Sequence, residues 1–314
     1  MALVGAGLRG REYTKHATAS GLARVVAVAE PDADRRSLIA STYDIAPSSV
    51  FTTWEDLAAA GRLADVAVVT TQDRMHADPA VALTGQVYHL LLEKPMAPTK
   101  ARLGSAPASV ASFGGLAHFR PEKRPAGAGE RCVDCAAEPS CPYSAVRLYR
   151  RCLAEGSRWP LSAVTDERTD DALMLALREG PYGRCVYDCD NDVVDHQVVA
   201  MQYPGGKTAT FTMTAFTPMQ GRQTRMFGRH GSIEGDGRTL RVTDFRTGVS
   251  ETVEAGGASG GHDGGDEALV HAFLGAVAHG DPSRLSSDMA TSLASHRVVW
   301  AAERARLSGS VVTL

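Results

Sequence analysis

The sequence predicts an α/β N-terminal domain built on a parallel sheet, followed by an α+β domain whose sheet is mostly antiparallel. Three observations carry that prediction. Over the first 98 residues, short valine- and alanine-rich runs alternate with helical stretches, the order that a parallel sheet with crossover helices requires. A glycine-rich turn joins the first run to the first helix. Beyond about residue 190 the β-like runs follow one another directly, separated by Pro-Gly-Gly and Gly-Asp-Gly turns, as in an antiparallel sheet.

The elements follow in order. Residues 2–4 are a very short apolar run, and a helical stretch extends from the glycine turn to about Ser20. Arg24 to Ala29 is valine-rich, as a strand buried on both faces should be, and Glu30-Pro31-Asp32 ends it. Helices are predicted over 34–43 and 53–60, a second buried strand over 64–70, a helix over 76–84 and a third strand over 87–92. After Pro98 the pattern weakens. A strand is predicted over 109–119, a proline-rich loop or metal-stapled knuckle over 121–142, and a short helix over 173–179. Strands are predicted over 193–203, 207–216, 223–228 and 239–245. A glycine-rich loop over 256–265 precedes two amphipathic helices near 266–279 and 286–308, with Asp266 as the N-cap of the first. This divides the chain into a domain over 1–98 and a second over 99–314 that contains the C-terminal helices within 266–308.

Composition narrows the function classes. The chain has 314 residues, 44% apolar and 22% charged, an ordinary globular balance that suits two domains. A formal net charge of −3 provides no excess of positive charge for a nucleic acid backbone. No run of about 20 apolar residues suggests a membrane span, and the first residues lack the pattern of a signal peptide. A cytoplasmic location is expected, and there six cysteines are reduced thiols or metal ligands rather than disulfides.

The sharpest motif is Gly5-Ala6-Gly7-Leu8-Arg9-Gly10. It fits G-x-G-x-x-G, follows a strand and opens a helix, which is the Rossmann fingerprint. The first glycine makes the tight turn, the second lets the backbone approach a pyrophosphate, and the third lets helix and strand pack closely. The helix N-terminus offers unpaired N–H groups to the phosphates. Glu30 ends the next strand at the distance where a carboxylate binds the ribose hydroxyls of NAD. A carboxylate there disfavours a 2′-phosphate, while Arg35 and Arg36 keep NADP open.

Further on, a strand ends at Thr70 and is followed by Thr71-Gln72-Asp73-Arg74-Met75-His76, then a helix, a strand and Glu93-Lys94-Pro95-Met96-Ala97. With the glycine loop, this arrangement resembles the Gfo/Idh/MocA family of oxidoreductases (glucose–fructose oxidoreductase and inositol dehydrogenase types), closely over residues 1–98 and more loosely from about Asp188 onward. The resemblance implies that Glu93 and Lys94 line the nicotinamide site and that Thr70, Thr71 and His76 lie along the cofactor. It also implies that Lys94 positions or polarises the substrate. On its own chemistry an ammonium there stabilises charge developing on an alcohol oxygen. The family's second catalytic element is D-x-x-x-H. Asp192-Val193-Val194-Asp195-His196 has that spacing; if helical, it places Asp192 and His196 on one face, with His196 as the acid/base. His196 also leads into a β-like run. After Pro98 the chain is shorter than the family pattern, in which a helix and a further strand follow.

The resemblance implies an NAD- or NADP-dependent dehydrogenase acting on a secondary alcohol or ketone of a sugar, cyclitol or related polyol. A dinucleotide-binding regulatory or catalytically impaired member is the alternative. It also implies an open-faced antiparallel sheet and a homodimer or homotetramer. Separately, Cys132-x2-Cys135-x5-Cys141 in the proline-rich loop has the form of a structural zinc half-site, with a fourth ligand from Cys152, Cys185 or Cys189; free thiols are the other reading.

Overall fold

The computed structural model describes residues 1–72, 75–93, 106–218, 222–254, 264–285 and 288–314. The chain divides into two compact units. One comprises residues 1–98 and 217–292, the other 99–216 and 293–314. The region 99–314, expected as one domain, is therefore shared between the two.

In the first unit, β1 (Ala2–Val4), α1 (Leu8–Ala19), β2 (Ala27–Ala29), α2 (Ala33–Thr42), β3 (Val50–Phe51), α3 (Trp54–Ala59), β4 (Val66–Val69), α4 (Ala77–Gly85) and β5 (His89–Leu92) follow in strict alternation. The strands form a parallel sheet in the order β3-β2-β1-β4-β5. Every residue of β1, β2 and β4 is buried, because helices cover both faces. One face packs Leu3, Val28 and Val68 against Tyr13 and Ala17 of α1 and Ile39 of α2. The other packs Val4, Ala29 and Val69 with Leu57 of α3 and Leu83 of α4. Asp32 and Thr53 cap α2 and α3, accepting N–H groups of Arg35 and Asp56 at 2.9 and 3.2 Å.

The second unit begins with β6 (Ser109–Gly115) and continues with α5 (Ala145–Ala154), α6 (Asp170–Glu179), β7 (His196–Gln202) and β8 (Thr208–Thr214). Only 109–115 of the expected strand over 109–119 is extended. β6, β7 and β8 are antiparallel neighbours. The parallel sheet thus ends at five strands among the described residues, and the run after residue 105 joins the antiparallel sheet instead. The sequence reading missed α5. Its buried residues Ala145, Val146, Tyr149 and Cys152 recur at helical spacing, and Ser144 caps it by accepting the Arg147 N–H at 3.0 Å, so both signals lie in the sequence.

The chain then adds β9 (Thr224–Phe227), β10 (Gly231–Gly235), β11 (Thr239–Asp244) and β12 (Ser250–Glu254) to the first unit as a separate antiparallel sheet in chain order. β10 and β12, short and rich in Gly, Ser and Glu, are not among the strands expected from the sequence. Helix α7 (Gly265–His279) packs Val270, Phe273 and Leu274 onto the parallel-sheet core. Its N-cap is Gly264 in the left-handed conformation, not Asp266, whose side chain is used elsewhere. Helix α8 (Met289–Ser308) places Ala301 and Ala302 against Val110 and Val199, and β13 (Val312–Thr313) pairs with β6, closing one face of the second unit's sheet. The opposite face exposes Phe113 and Val198, which are directly paired, so the sheet is open on that side. No helix among the described residues is long and apolar enough to cross a membrane.

Candidate dinucleotide site

Register brings the expected residues into one row. Val4 pairs with Ala29 and with Val69, and Val69 pairs with Leu92. The next residue of each strand, Gly5, Glu30, Thr70 and Glu93, therefore stands side by side along the C-terminal edge of the sheet. The chain reverses its winding between β1 and β4, and ligands of open α/β sheets bind at that switch point.

The three glycines differ in physical role. Gly5 has φ of +90°, and a methyl group there would lie 2.7 Å from the Thr70 carbonyl oxygen. At Gly10 it would lie 2.2 Å from the Gly5 carbonyl oxygen. Both positions are closed by the protein's own backbone. At Gly7, the N-cap of α1, a methyl group would meet nothing within 4 Å. The loop is thus tightly held at both ends and open at its middle, where a diphosphate would approach the helix N-terminus. Leu8 is the first residue of that helix and is partly exposed.

Glu30 is buried. Its Oε2 accepts the Ala6 N–H at 2.5 Å and its Oε1 accepts the Asp32 N–H at 3.0 Å, so it braces the loop it was expected to accompany. Arg36 donates to the carbonyl oxygens of Glu30 and Pro31 at 2.5 and 2.9 Å, while Arg35 is exposed. Thr70 Oγ1 donates to the Gly5 carbonyl at 2.6 Å, and Thr71 Oγ1 lies 2.9 Å from Nδ1 of the buried His76.

The Arg9 side chain is engaged within the protein. It forms a bidentate pair with Asp266 of α7, at 2.5 and 2.8 Å, contacts Tyr13 Oη at 2.5 Å and lies 3.3 Å from Glu93 Oε1. Burial works to lower the Arg9 pKa, but the Asp266 hydrogen bond and the charges of Tyr13, Glu93 and Asp266 hold it above its ordinary value. Tyr13 donates to Glu93 Oε2 at 2.5 Å, and burial, then that hydrogen bond, push its phenol above the usual range. No local pattern announces this network, because Asp266 lies 257 residues from Arg9. Lys94 lies outside the described residues, as do Asp73 and Arg74.

With this geometry in place, residues 1–111 match the profile of GFO_IDH_MocA, the oxidoreductase family with an NAD-binding Rossmann fold. That match covers the N-terminal third of the chain, including the glycine loop and Glu93. Farther afield, the chain is 24% identical over 196 residues to the YteT protein of Bacillus subtilis (strain 168). That match spans 55% of this chain and only 43% of YteT, less than half the relative's length. An oxidoreductase from Agrobacterium radiobacter, crystallised with NAD+, L-tartaric acid and magnesium, shares the fold at TM-score 0.61 and 16% identity, covering 99% of this chain and 97% of its own. A levoglucosan dehydrogenase crystallised with NADH and levoglucosan does so at TM-score 0.61 and 14% identity, covering 99% and 98%.

Two expectations in the second unit are corrected. Asp192 and His196 do not share a helix face: residues 191–195 are irregular and His196 opens β7. The β-favouring run Gln197-Val198-Val199 decides the local conformation, and His196 Nδ1 lies 2.8 Å from Asp195 instead. The cysteines also depart from the zinc expectation. Cys132, Cys135 and Cys141 line one small cavity with Cys185, yet no group of three or more His, Cys, Asp or Glu among the described residues is arranged to hold a metal ion. All six cysteines are free thiols, and burial raises the pKa of Cys132 and Cys189 above the ordinary thiol value.

Proposed function

We propose that this chain is an NAD(P)-dependent oxidoreductase that transfers a hydride between nicotinamide and a secondary alcohol or ketone of a sugar, cyclitol or related polyol. The observation that carries it is the loop open only at Gly7, closed at Gly5 and Gly10, with Glu30 bracing it from the neighbouring strand. The residues present fit a dinucleotide. Gly7, Leu8 and the first N–H groups of α1 would hold the diphosphate, and Glu30 would disfavour a 2′-phosphate, so NAD is the expected form. When bound, the nicotinamide supplies the hydride acceptor. Lys94, which follows Glu93 in the sequence, would steady the alcohol oxygen, and His196 would take its proton. The dinucleotide complexes of the two structural relatives support the cofactor, and levoglucosan in one of them supports the polyol class.

The test is fluorescence titration with NADH and NADPH, followed by a polyol and sugar panel read as NADH formation. Tighter binding of NADH and activity that falls at least tenfold in Lys94→Ala are the expected results. Equal activity in the variant would remove Lys94 from the mechanism. A second reading, a dinucleotide-binding regulatory or catalytically impaired member, is favoured by the five-stranded parallel sheet and by the absence of a helix at 192–196. Tight NADH binding with no turnover on any polyol would select it. The exposed Phe113–Val198 face supports a homodimer or homotetramer, which light scattering checks directly.

A further inference from the structure

One guanidinium of the first unit serves two buried carboxylates from different elements. Arg9 stands in the first turn of α1, Glu93 directly follows β5 and Asp266 is the second residue of α7. The side chains of Glu93 and Asp266 are each 6% exposed. Asp266 accepts from both terminal nitrogens of Arg9, at 2.5 and 2.8 Å. Arg9 Nη2 also donates to Tyr13 Oη at 2.5 Å, and Tyr13 in turn donates to Glu93 Oε2 at 2.5 Å. The guanidinium carbon lies 4.7 Å from the centre of the Tyr13 ring, a cation–π contact that adds to the hydrogen bonds.

The chemistry of the groups fixes the direction of each bond. A guanidinium only donates and an ionised carboxylate only accepts. The Tyr13 oxygen accepts from Arg9, so its proton is aimed at Glu93. The bonds therefore run in series from Asp266 through Arg9 and Tyr13 to Glu93, with Arg9 Nε a further 3.3 Å from Glu93 Oε1. Helix α7 packs Val270, Phe273 and Leu274 onto the parallel-sheet core, so Asp266 stands on a fixed support. The place of Glu93 gives the series a direction on the sheet. Strands β2, β1, β4 and β5 lie in that order, so three spacings of about 4.8 Å separate Glu30 from Glu93. A dinucleotide lies across such a crevice with its two halves on either side of the diphosphate. With Glu30 on the adenosine ribose, Glu93 lies beside the nicotinamide half.

We infer that Asp266 is a positioning residue for the nicotinamide half of the dinucleotide, acting through Arg9 and Tyr13 to hold the Glu93 carboxylate at the end of β5. The inference rests on the dinucleotide reading proposed above and adds to it a residue outside the glycine loop and the strand ends. Replacing the Asp266 carboxylate takes the bidentate partner from a partly buried cation, and the side chains that this cation orders must rearrange. Gly7 and Glu30 serve the diphosphate and the adenosine ribose, so the loss of Asp266 should be felt at the opposite end of the ligand.

The test is calorimetric titration of the full chain with two probes, NADH and ADP-ribose, which shares the adenosine and diphosphate of NADH but has no nicotinamide. Asp266→Asn sets an amide N–H against the guanidinium and should weaken NADH binding at least fivefold, with ADP-ribose affinity changed by less than about twofold. Tyr13→Phe keeps the packed ring, removes only the hydroxyl that links Arg9 to Glu93, and should give the same split; it carries the test if Asp266→Asn does not fold. Because the bonds act in series, the double variant should bind NADH about as well as the weaker single variant, not with the product of the two losses. A merely structural role would weaken both ligands together. Equal weakening of NADH and ADP-ribose, undiminished NADH affinity in the variants, or multiplied losses in the double variant would each overturn the inference and leave the dinucleotide reading standing. An unmodified chain that binds neither ligand would instead sink that reading, and this inference with it.

Discussion

Glu30 in the first unit and Asp195 in the second are both buried carboxylates that accept backbone N–H groups and so hold a loop in place. They differ in reach. Glu30 bonds Ala6 and Asp32 within a single strand–turn–helix–strand repeat, whereas Asp195 bonds residues 76 to 78 positions earlier. The first arrangement belongs to a motif with fixed offsets. The second exists only once β6 and β7 have paired. A local brace announces itself in a sequence; a long-range one of the same chemistry does not.

Five substitutions break or sharpen that contrast, taken in order of expected effect on stability. Gly10→Ala forces a methyl group to 2.2 Å from a backbone oxygen, so the chain should lose about 3 kcal/mol, at the upper end of overpacking costs. Thermal unfolding checks it, and dinucleotide binding should be lost with it. Asp195→Ala leaves three N–H groups of the 117–119 loop without their acceptor and should cost about 2 kcal/mol.

The pH dependence has a definite sign. The native Asp195 pKa is depressed, so its stabilisation is complete above the unfolded value near about 4 and is lost as pH falls through the native value. Below about pH 4 the unmodified chain should therefore lose Tm more steeply than Asp195→Asn, as acid scans will show. Gly7→Ala meets no protein atom and should leave Tm unchanged while weakening NADH binding at least tenfold. Equal NADH affinity in that variant would mean the open middle of the loop is not where the diphosphate lies. Finally, Arg150→Ala removes a fully exposed pair with Asp170 and should change neither Tm nor binding measurably.

The strands show how legibility depends on burial. The all-buried β1, β2 and β4 read as continuous apolar runs, and their C-terminal ends lead into Gly5, Glu30 and Thr70. The exposed β12 carries no such constraint. Strand β12, Ser-Glu-Thr-Val-Glu, reads as an ordinary surface segment. Arg9 marks the limit of the local motif: its side chain pairs with Asp266 and Glu93, contacts that no local pattern announces.

The amino-acid order alone determined the parallel sheet, the glycine loop and the acidic residue that braces it, because these depend on turn geometry and hydrophobic continuity over a few tens of residues. Tertiary structure alone decided that Arg9 pairs with Asp266 of α7 and that Asp195 holds the 117–119 loop. Each of those outcomes turns on which distant groups share a buried space, where a charge or hydrogen-bonding group must be matched by whatever neighbour the fold supplies.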